Sequence, residues 1–434
     1  RYFTNLKNFK YPSINYSLVP GEKNALNASI FLNPKERFSL GFDVDLSHSN
    51  IQDFGIGLGG GLGIRNVFRG AELLELNIKN TLGASRDIAQ KGDQFFNLYE
   101  LGADLKLSIP KLLIPWINKN WASSSTLGKT EIILGTSLQE NIGLDKQFFK
   151  GVYQFDISSN SKKRIQFKLI DLEFVNNRNL SNYFNVYKNS YDRLNQIAKN
   201  YNTNENIIDS SGSLLIPEGT SEFIEAVLSN RTNLNFEDQD FRIVNTVKER
   251  FDRLSANNLI LGSSFSLNLN SQESIFDEKF YQFRWKLDWV GNLLNQFLTN
   301  FSNVKNEDNQ NVLGGVSPSQ YIKTEIDYIK HWPFGRERVF ALHGFAGIAI
   351  PFGNSTNMPF SRSYFSGGAN DNRAWKAYKL GPGSSRNINE FNEANFKIAF
   401  NLEYRFRITG PLKGGLFIDL GNVWNIFDDV EDPD

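Results

Sequence analysis

The chain has 434 residues, with 47 basic and 47 acidic side chains and no cysteine. Balanced charge, without a basic stripe, argues against a nucleic-acid partner. No apolar run approaches the ~20 residues of a spanning helix. That excludes a helical membrane protein but leaves a β-barrel open, because lumen-facing polar residues dilute the hydropathy of each strand.

The first residues, Arg1-Tyr2-Phe3-Thr4, carry no signal-peptide pattern, as in a mature exported protein or a fragment. Residues 1–35 are expected to form the end of a small α+β module. Ser13–Val19 and Ala25–Leu32 read as short strands joined at Pro20-Gly21. From residue 36 the chain alternates. Phe38, Leu40, Phe42, Val44 and Leu46 are interleaved with Ser39, Gly41, Asp43, Asp45 and Ser47. Successive strand side chains point to opposite faces, so this strand has one greasy face and one polar face. The next strand carries Phe54, Ile56, Leu58, Leu62 and Ile64 against Gly55, Gly57, Gly59, Gly61 and Gly63. Its polar face is expected to be empty, and the strand weak and bent.

The pattern continues through Ala71–Ser85, Phe95–Ile109, Lys129–Ile142, Phe148–Ser159 and Arg164–Val175. It resumes with Leu259–Asn270, Phe280–Val290, Tyr321–Tyr328, Arg338–Ile350, Phe396–Ile408 and Gly415–Ile426. These make thirteen candidate strands of the ~10-residue length that a tilted membrane strand needs. The 37 phenylalanines suit outward rows and interfacial girdles. Short connections are expected at Asn66–Gly70, Asn160–Lys163, Pro333–Arg336 and Thr409–Gly414, long ones at 176–258 and 354–395. The first long loop shows helical spacing at Tyr191, Leu194, Ile197 and Ala198, and again at Phe223, Ile224, Val227 and Leu228, so helices outside the membrane are expected there. The second is rich in Gly, Asn, Ser and Arg. Single-chain barrels close with an even number of strands. An odd count followed by the acidic run Asp428–Asp432 therefore implies that closing strands follow Asp434.

The second long loop reads Met358-Pro359-Phe360, Gly367-Gly368, Arg373-Ala374-Trp375 and Leu380-Gly381-Pro382-Gly383. Together with Asn401–Arg405, Phe417–Asn422 and Asn66–Glu72, this resembles the BamA/TamA superfamily of outer-membrane assembly barrels, the bacterial surface antigen family. Its Gly-Gly, Arg-x-Trp, Leu-Gly-Pro-Gly form is most similar to the TamA-like (TamL) lipoproteins of Bacteroidota. The resemblance implies an all-β transmembrane antiparallel barrel of about 16 strands, preceded by POTRA modules. It also implies that loop 354–395 folds into the lumen, where Arg373, Ala374 and Trp375 meet Glu403, Phe417 and Asp419. The alternation independently puts those three partners on the polar face. Ala374 stands where the family has glycine, and a positive φ there would cost Ala about 1 kcal/mol.

Only His48, His331 and His343 exist; His343 falls among polar-face positions, and no Ser or carboxylate neighbour in sequence suggests a triad there. Gly55–Gly63 alternates with apolar residues and opens no helix, so it is not a phosphate loop. No metal spacing, nucleotide loop or cofactor motif occurs, and no enzymatic activity is expected. The expected function is outer-membrane protein insertion or translocation through a lateral gate at the strand with Phe38, Leu40, Phe42, Val44 and Leu46. The expected partners are outer-membrane lipids, unfolded clients and accessory envelope proteins. The rival readings are a passive pore or two-partner-secretion exporter and, less well supported, an outer-membrane hydrolase.

Overall fold

The structure is a computed structural model. It describes residues 6, 8–21, 25–48, 54–84, 96, 98–114, 127–141, 145–158, 162–181, 183–201, 205–232, 234, 238–301, 304–306, 310–335, 337–384 and 392–427. Two strands, β1 (Phe9–Leu18) and β2 (Leu26–Pro34), pair with each other in a separate antiparallel sheet. The helical part expected of an α+β module is not among the described residues. The remaining strands form one antiparallel sheet of thirteen, in strict sequence order.

Those strands are β3 (Phe38–Ser47), β4 (Phe54–Arg65), β5 (Leu73–Ala84), β6 (Leu98–Ile109), β7 (Leu127–Asn141), β8 (Asp145–Ser158) and β9 (Lys163–Asn179). After an insert come β10 (Asn258–Asn270), β11 (Phe280–Val290), β12 (Tyr321–Pro333), β13 (Arg338–Pro351), β14 (Phe396–Thr409) and β15 (Leu412–Trp424). Register follows the alternation, since slipping by one residue would turn every apolar side chain to the polar face. The row Phe155, Phe167, Phe265, Leu287 crosses four adjacent strands on the apolar face. The row Asp156, Gln166, Ser266, Lys286, Glu325 crosses five on the polar face.

Several boundaries differ from the sequence reading. β12 runs on to Pro333 and β9 to Asn179, because their neighbours extend the ladder beyond the clean alternation. Ala71 belongs to a turn with positive φ, not to β5. The β14–β15 turn tightens to Gly410-Pro411, with Gly410 at φ 51°. Ser85, Phe95, Ile142, Ser159 and Asn160 lie outside the described residues, as does the acidic run from Asp428.

The glycine face of β4 is not vacant. A Cβ at Gly57 would stand 3.2 Å from Asp45 Cβ, at Gly61 3.0 Å from Asn77 Oδ1, and at Gly63 2.5 Å from Ser39 Oγ. Neighbouring strands fold their polar side chains over the row that glycine opens.

The insert between β9 and β10 carries α1 (Tyr183–Val186), α2 (Lys188–Asn200), α3 (Glu218–Leu228) and α4 (Gln239–Ser255). Its apolar stripes converge on a core of its own, with Leu194, Phe223, Val227 and Val244 almost fully buried. Each such side chain contributes about 1.5–3 kcal/mol relative to exposure. Asp240 in the first turn of α4 and Arg253 in its last turn both suit the helix dipole. A further helix, α5 (Asn292–Phe301), follows β11. No described helix is long and apolar enough to cross a membrane, which says nothing against crossing by strands.

Candidate functional site: the loop socket on the polar face

Loop 352–395 connects β13 to β14 on the same rim as the helical insert and crosses the polar face of the sheet. Its described part is held by its own backbone: Tyr364 and Ala394 exchange two hydrogen bonds of 2.7 and 2.8 Å, and Ser366 bridges to Leu380. Gly367 and Gly368 take φ of 101° and 108°, conformations that L side chains rarely adopt. A Cβ on Gly367 would also meet the Lys376 carbonyl at 2.2 Å. Asp371 closes the turn, accepting from Gly367 N–H at 2.8 Å and pairing with Lys397 of β14 at 2.9 Å.

This turn delivers Arg373 to β14 and β15, where register sets Glu403 opposite Phe417 and Asn401 opposite Asp419. Arg373 Nε and Nη2 donate to the two oxygens of Asp419 at 2.8 and 2.7 Å. Its backbone N–H also reaches Asp419, at 3.1 Å, and Nη1 donates to Glu403 at 2.7 Å. The guanidinium carbon stands 3.7 Å from the centre of the Phe417 ring. A planar fork suits a carboxylate pair and a stacked ring together. The carboxylates, Asp419 first, hold the guanidinium proton affinity above its ordinary value. Asn401 completes the socket, donating to Asp371 O at 2.8 Å and Asp419 Oδ1 at 3.0 Å.

Of the residues singled out from sequence, Arg373, Glu403, Phe417 and Asp419 meet. Trp375 does not join them through its ring. It is 46% exposed, and its carbonyl accepts from Gly368 N–H at 2.8 Å. Ala374 does not take a positive φ, so the strain expected there is absent. Gly381, Pro382 and Gly383 instead meet the upper end of β15: Gly383 N–H donates to Val423 O at 2.8 Å, and Asn422 Nδ2 donates to Gly383 O. Gly381 has φ 82°, and a Cβ there would stand 2.3 Å from Asn422 Oδ1.

The row Phe38, Leu40, Phe42, Val44, Leu46 lies on the apolar face of β3, between 60 and 80% exposed. β3 is one end of the sheet and pairs only with β4 among the described strands. His343 does have a carboxylate neighbour, supplied across the sheet. Its Nε2 lies 3.6 Å from Asp327, and Nδ1 lies 3.1 Å from Asn401 Oδ1. It remains a polar residue of the lumen face, with no serine nucleophile in the contact.

Sequence reasoning missed a second attachment of the same loop. Arg362 Nη2 donates to Glu173 of β9 at 2.5 Å, while Lys323 of β12 donates to Arg362 O at 2.8 Å. The Lys323 ammonium also lies 4.1 Å from the Tyr364 ring centre. A third tie joins the loop to the helical insert: Arg253 of α4 pairs with Glu393 at 2.7 Å, both largely buried, and Phe360 packs against the insert core. The only sequence signal for Glu173 and Lys323 was their polar-face position. Among the described residues no group of His, Asp or Glu could hold a metal ion.

A family model described as the Omp85 superfamily domain matches residues 152–432. Among solved structures the chain is similar to BamA from Haemophilus ducreyi lacking POTRA domains 1–3. Identity there is 12%, the TM-score is 0.52, and the match covers 97% of this chain and 64% of that one. It is also similar to CdiB from Acinetobacter baumannii, with 8% identity, TM-score 0.44 and coverage of 98% and 57%. CdiB from Escherichia coli gives 9% identity, TM-score 0.45 and coverage of 99% and 60%. The chain thus spans less than two thirds of each of these structures, and at such identities the likeness concerns the fold. No curated protein sequence matches it.

Proposed function

The chain belongs to the Omp85 superfamily and is an outer-membrane β-barrel protein, and from that premise we propose that it inserts or translocates client proteins through a lateral gate, a weak seam at β3 that opens. The observation that carries this reading is that β3, which pairs with β4 alone among the described strands, has a glycine-faced neighbour; opening its other side would make it an edge strand. An edge strand presents unpaired backbone N–H and C=O groups, on which an extended segment can add as a further strand. On β4, glycine at positions 57, 59, 61 and 63 removes side-chain packing from the polar face and weakens the strand against bending. The row Phe38, Leu40, Phe42, Val44, Leu46 then offers a client strand a matching apolar face at the lipid boundary.

In this reading loop 352–395 is a lumen latch. Arg373 holds it to the β14–β15 wall and Arg362 to β9, so the loop braces the polar side while the edge at β3 works. Residues 1–35 serve as the end of a POTRA-like periplasmic module, and residues 36–434 as the barrel. The helical insert lies on the extracellular side. Partners are membrane lipids, unfolded outer-membrane or secreted clients, and accessory envelope proteins. No chemical step is assigned to the lumen.

A photoreactive residue at Phe42, compared with one at Leu134 on the apolar face of β7, tests the reading in membranes assembling a labelled barrel client. Capture at Phe42 several-fold above Leu134 is expected. Equal capture at both positions would refute the edge mechanism. Capture instead by groups replacing Lys79 or Glu100, on the polar face, would favour export through the lumen.

A further inference from the structure

The connection that follows β6 does not leave the sheet. Residues 110–114 double back across the apolar face of β7 and β8. Thr130 of β7 accepts from Leu113 N–H at 2.8 Å and donates to Lys111 O at 2.7 Å. The Tyr153 hydroxyl of β8 donates to Leu113 O. Lys111 N–H is itself bound to Ile109 O at 2.8 Å. Leu112 seats on Gly128, where a Cβ would stand 2.4 Å from Leu112 Cγ.

Register puts these contacts on the lipid-facing side. Thr130 lies opposite Phe155, which lies opposite Phe167, and Tyr153 lies opposite Ile132 and Ile170. One row nearer the short-turn rim, Ile157, Ile165 and Leu267 are still apolar. The segment therefore overlies the apolar band itself, not the water beyond it. Thr130 and Tyr153 turn their hydroxyls to this segment, and Thr130 is fully buried beneath it.

We infer that residues 110–114 are a membrane-interface strap, immersed in the phospholipid leaflet on the short-turn side of the barrel. Irregular backbone survives at membrane depth only where its polar groups are paired with protein. Here the N–H and carbonyl groups of Lys111 and Leu113 are all paired, by Thr130, Tyr153 and Ile109. Leu113 is left 45% exposed to hydrocarbon, and exposed Lys111 can place its ammonium among the head groups. The occupant of this surface is phospholipid, because the strap lies on the lipid-facing side of an outer-membrane barrel and presents apolar side chains there. The inference needs the membrane location alone and stands whether or not the edge mechanism does.

These 434 residues hold no cysteine, so Leu113→Cys adds a single labelling site within them, and any cysteine elsewhere in the full-length protein is replaced by serine. An environment-sensitive fluorophore there is read in phosphatidylethanolamine/phosphatidylglycerol vesicles, with nitroxide-bearing lipid or aqueous iodide as quencher. Asn230→Cys, on the exposed end of α3, is the aqueous control. The expected result is several-fold stronger quenching by shallow nitroxide lipid at 113, and the reverse at 230. Thr130→Val, which keeps shape but removes both hydrogen bonds, is expected to shift the label at 113 toward iodide while heat-modifiable migration shows an intact barrel. If Leu113→Cys impairs folding, Ile114→Cys replaces it. Iodide access at 113 equal to that at 230, or an unmoved label in the folded Thr130→Val protein, would overturn the strap.

Discussion

The two ends of the sheet solve opposite problems with the same alternation. At β3–β4 the polar face carries glycine, and flexible side chains of β3 and β5 lean across it. At β14–β15 the polar face carries Asn401, Glu403, Phe417 and Asp419, and a loop is clasped into them by Arg373. Glycine costs a strand packing and stiffness, whereas a satisfied ion cluster penalises any change that leaves a charge unpaired. One wall therefore yields more easily, and the other is clasped by the loop. The difference lies in side-chain chemistry, since both walls share backbone geometry.

The largest expected effect is at the clasp. Arg373→Ala leaves Asp419 and Glu403 facing each other, at a cost on the order of 3 kcal/mol for this partly buried pair. Loop 352–395 should become protease-sensitive in intact membranes, and client assembly should fall. Unchanged protection would mean that the socket does not hold the loop. Within the clasp, Asp419→Asn should loosen the loop more than Glu403→Gln. Asp419 accepts from Nε, Nη2 and the backbone N–H of Arg373, while Glu403 receives one bond and already has Arg405 as a partner at 2.8 Å. Charge-assisted bonds are worth about 1.5–3 kcal/mol each, so the order should be visible in proteolysis rates.

Glycine substitutions compare the walls directly. Gly421→Ala would bring a Cβ to 2.7 Å from the Ile398 carbonyl and 2.8 Å from Asn372, so the folded yield of the barrel should drop. Gly57→Ala meets only the side chains of Asp45 and Lys79, at 3.2 to 3.5 Å, and should fold normally while slowing client assembly. Equal folded yields for the two variants would erase the proposed contrast.

The smallest effect concerns pH. The turn between β4 and β5 is pinned by Glu72, which accepts from Phe68 and Gly70 N–H at 3.1 and 3.0 Å. Burial pushes its carboxyl up, but the N–H groups of Glu72, Gly70 and Phe68 outweigh this and hold it below 4.5. A depressed carboxyl stabilises the fold above its unfolded pKa and loses that contribution as pH falls through the folded value. Amide protection at Phe68 and Gly70 should therefore be full above about pH 5 and fade below pH 4.5. The Gly410-Pro411 turn has no titrating group of its own and should show no such change. Glu72→Gln should abolish the pH dependence.

Much of this was readable in the alternation. It supplied thirteen strands and the polar-face position of Glu403, Phe417 and Asp419, and the helical spacing of the insert matches its buried core. What escaped were contacts between residues far apart in the chain. Glu173 could be assigned a face but not a partner 189 residues away. Thr130 and Tyr153 interrupted apolar rows, yet only the path of residues 110–114 explains them. The glycine row was read as empty because a strand considered alone has no neighbours to lean over it.

A period of two is a local property, since backbone sterics make each side chain oppose the next; the sequence alone therefore determined the strands and their faces. Which polar side chain meets which across the lumen depends on where a 44-residue loop and a five-residue strap return to the sheet. That return is set by many weak contacts summed over distant strands, so only the tertiary structure decided the clasp, the second anchor and the strap.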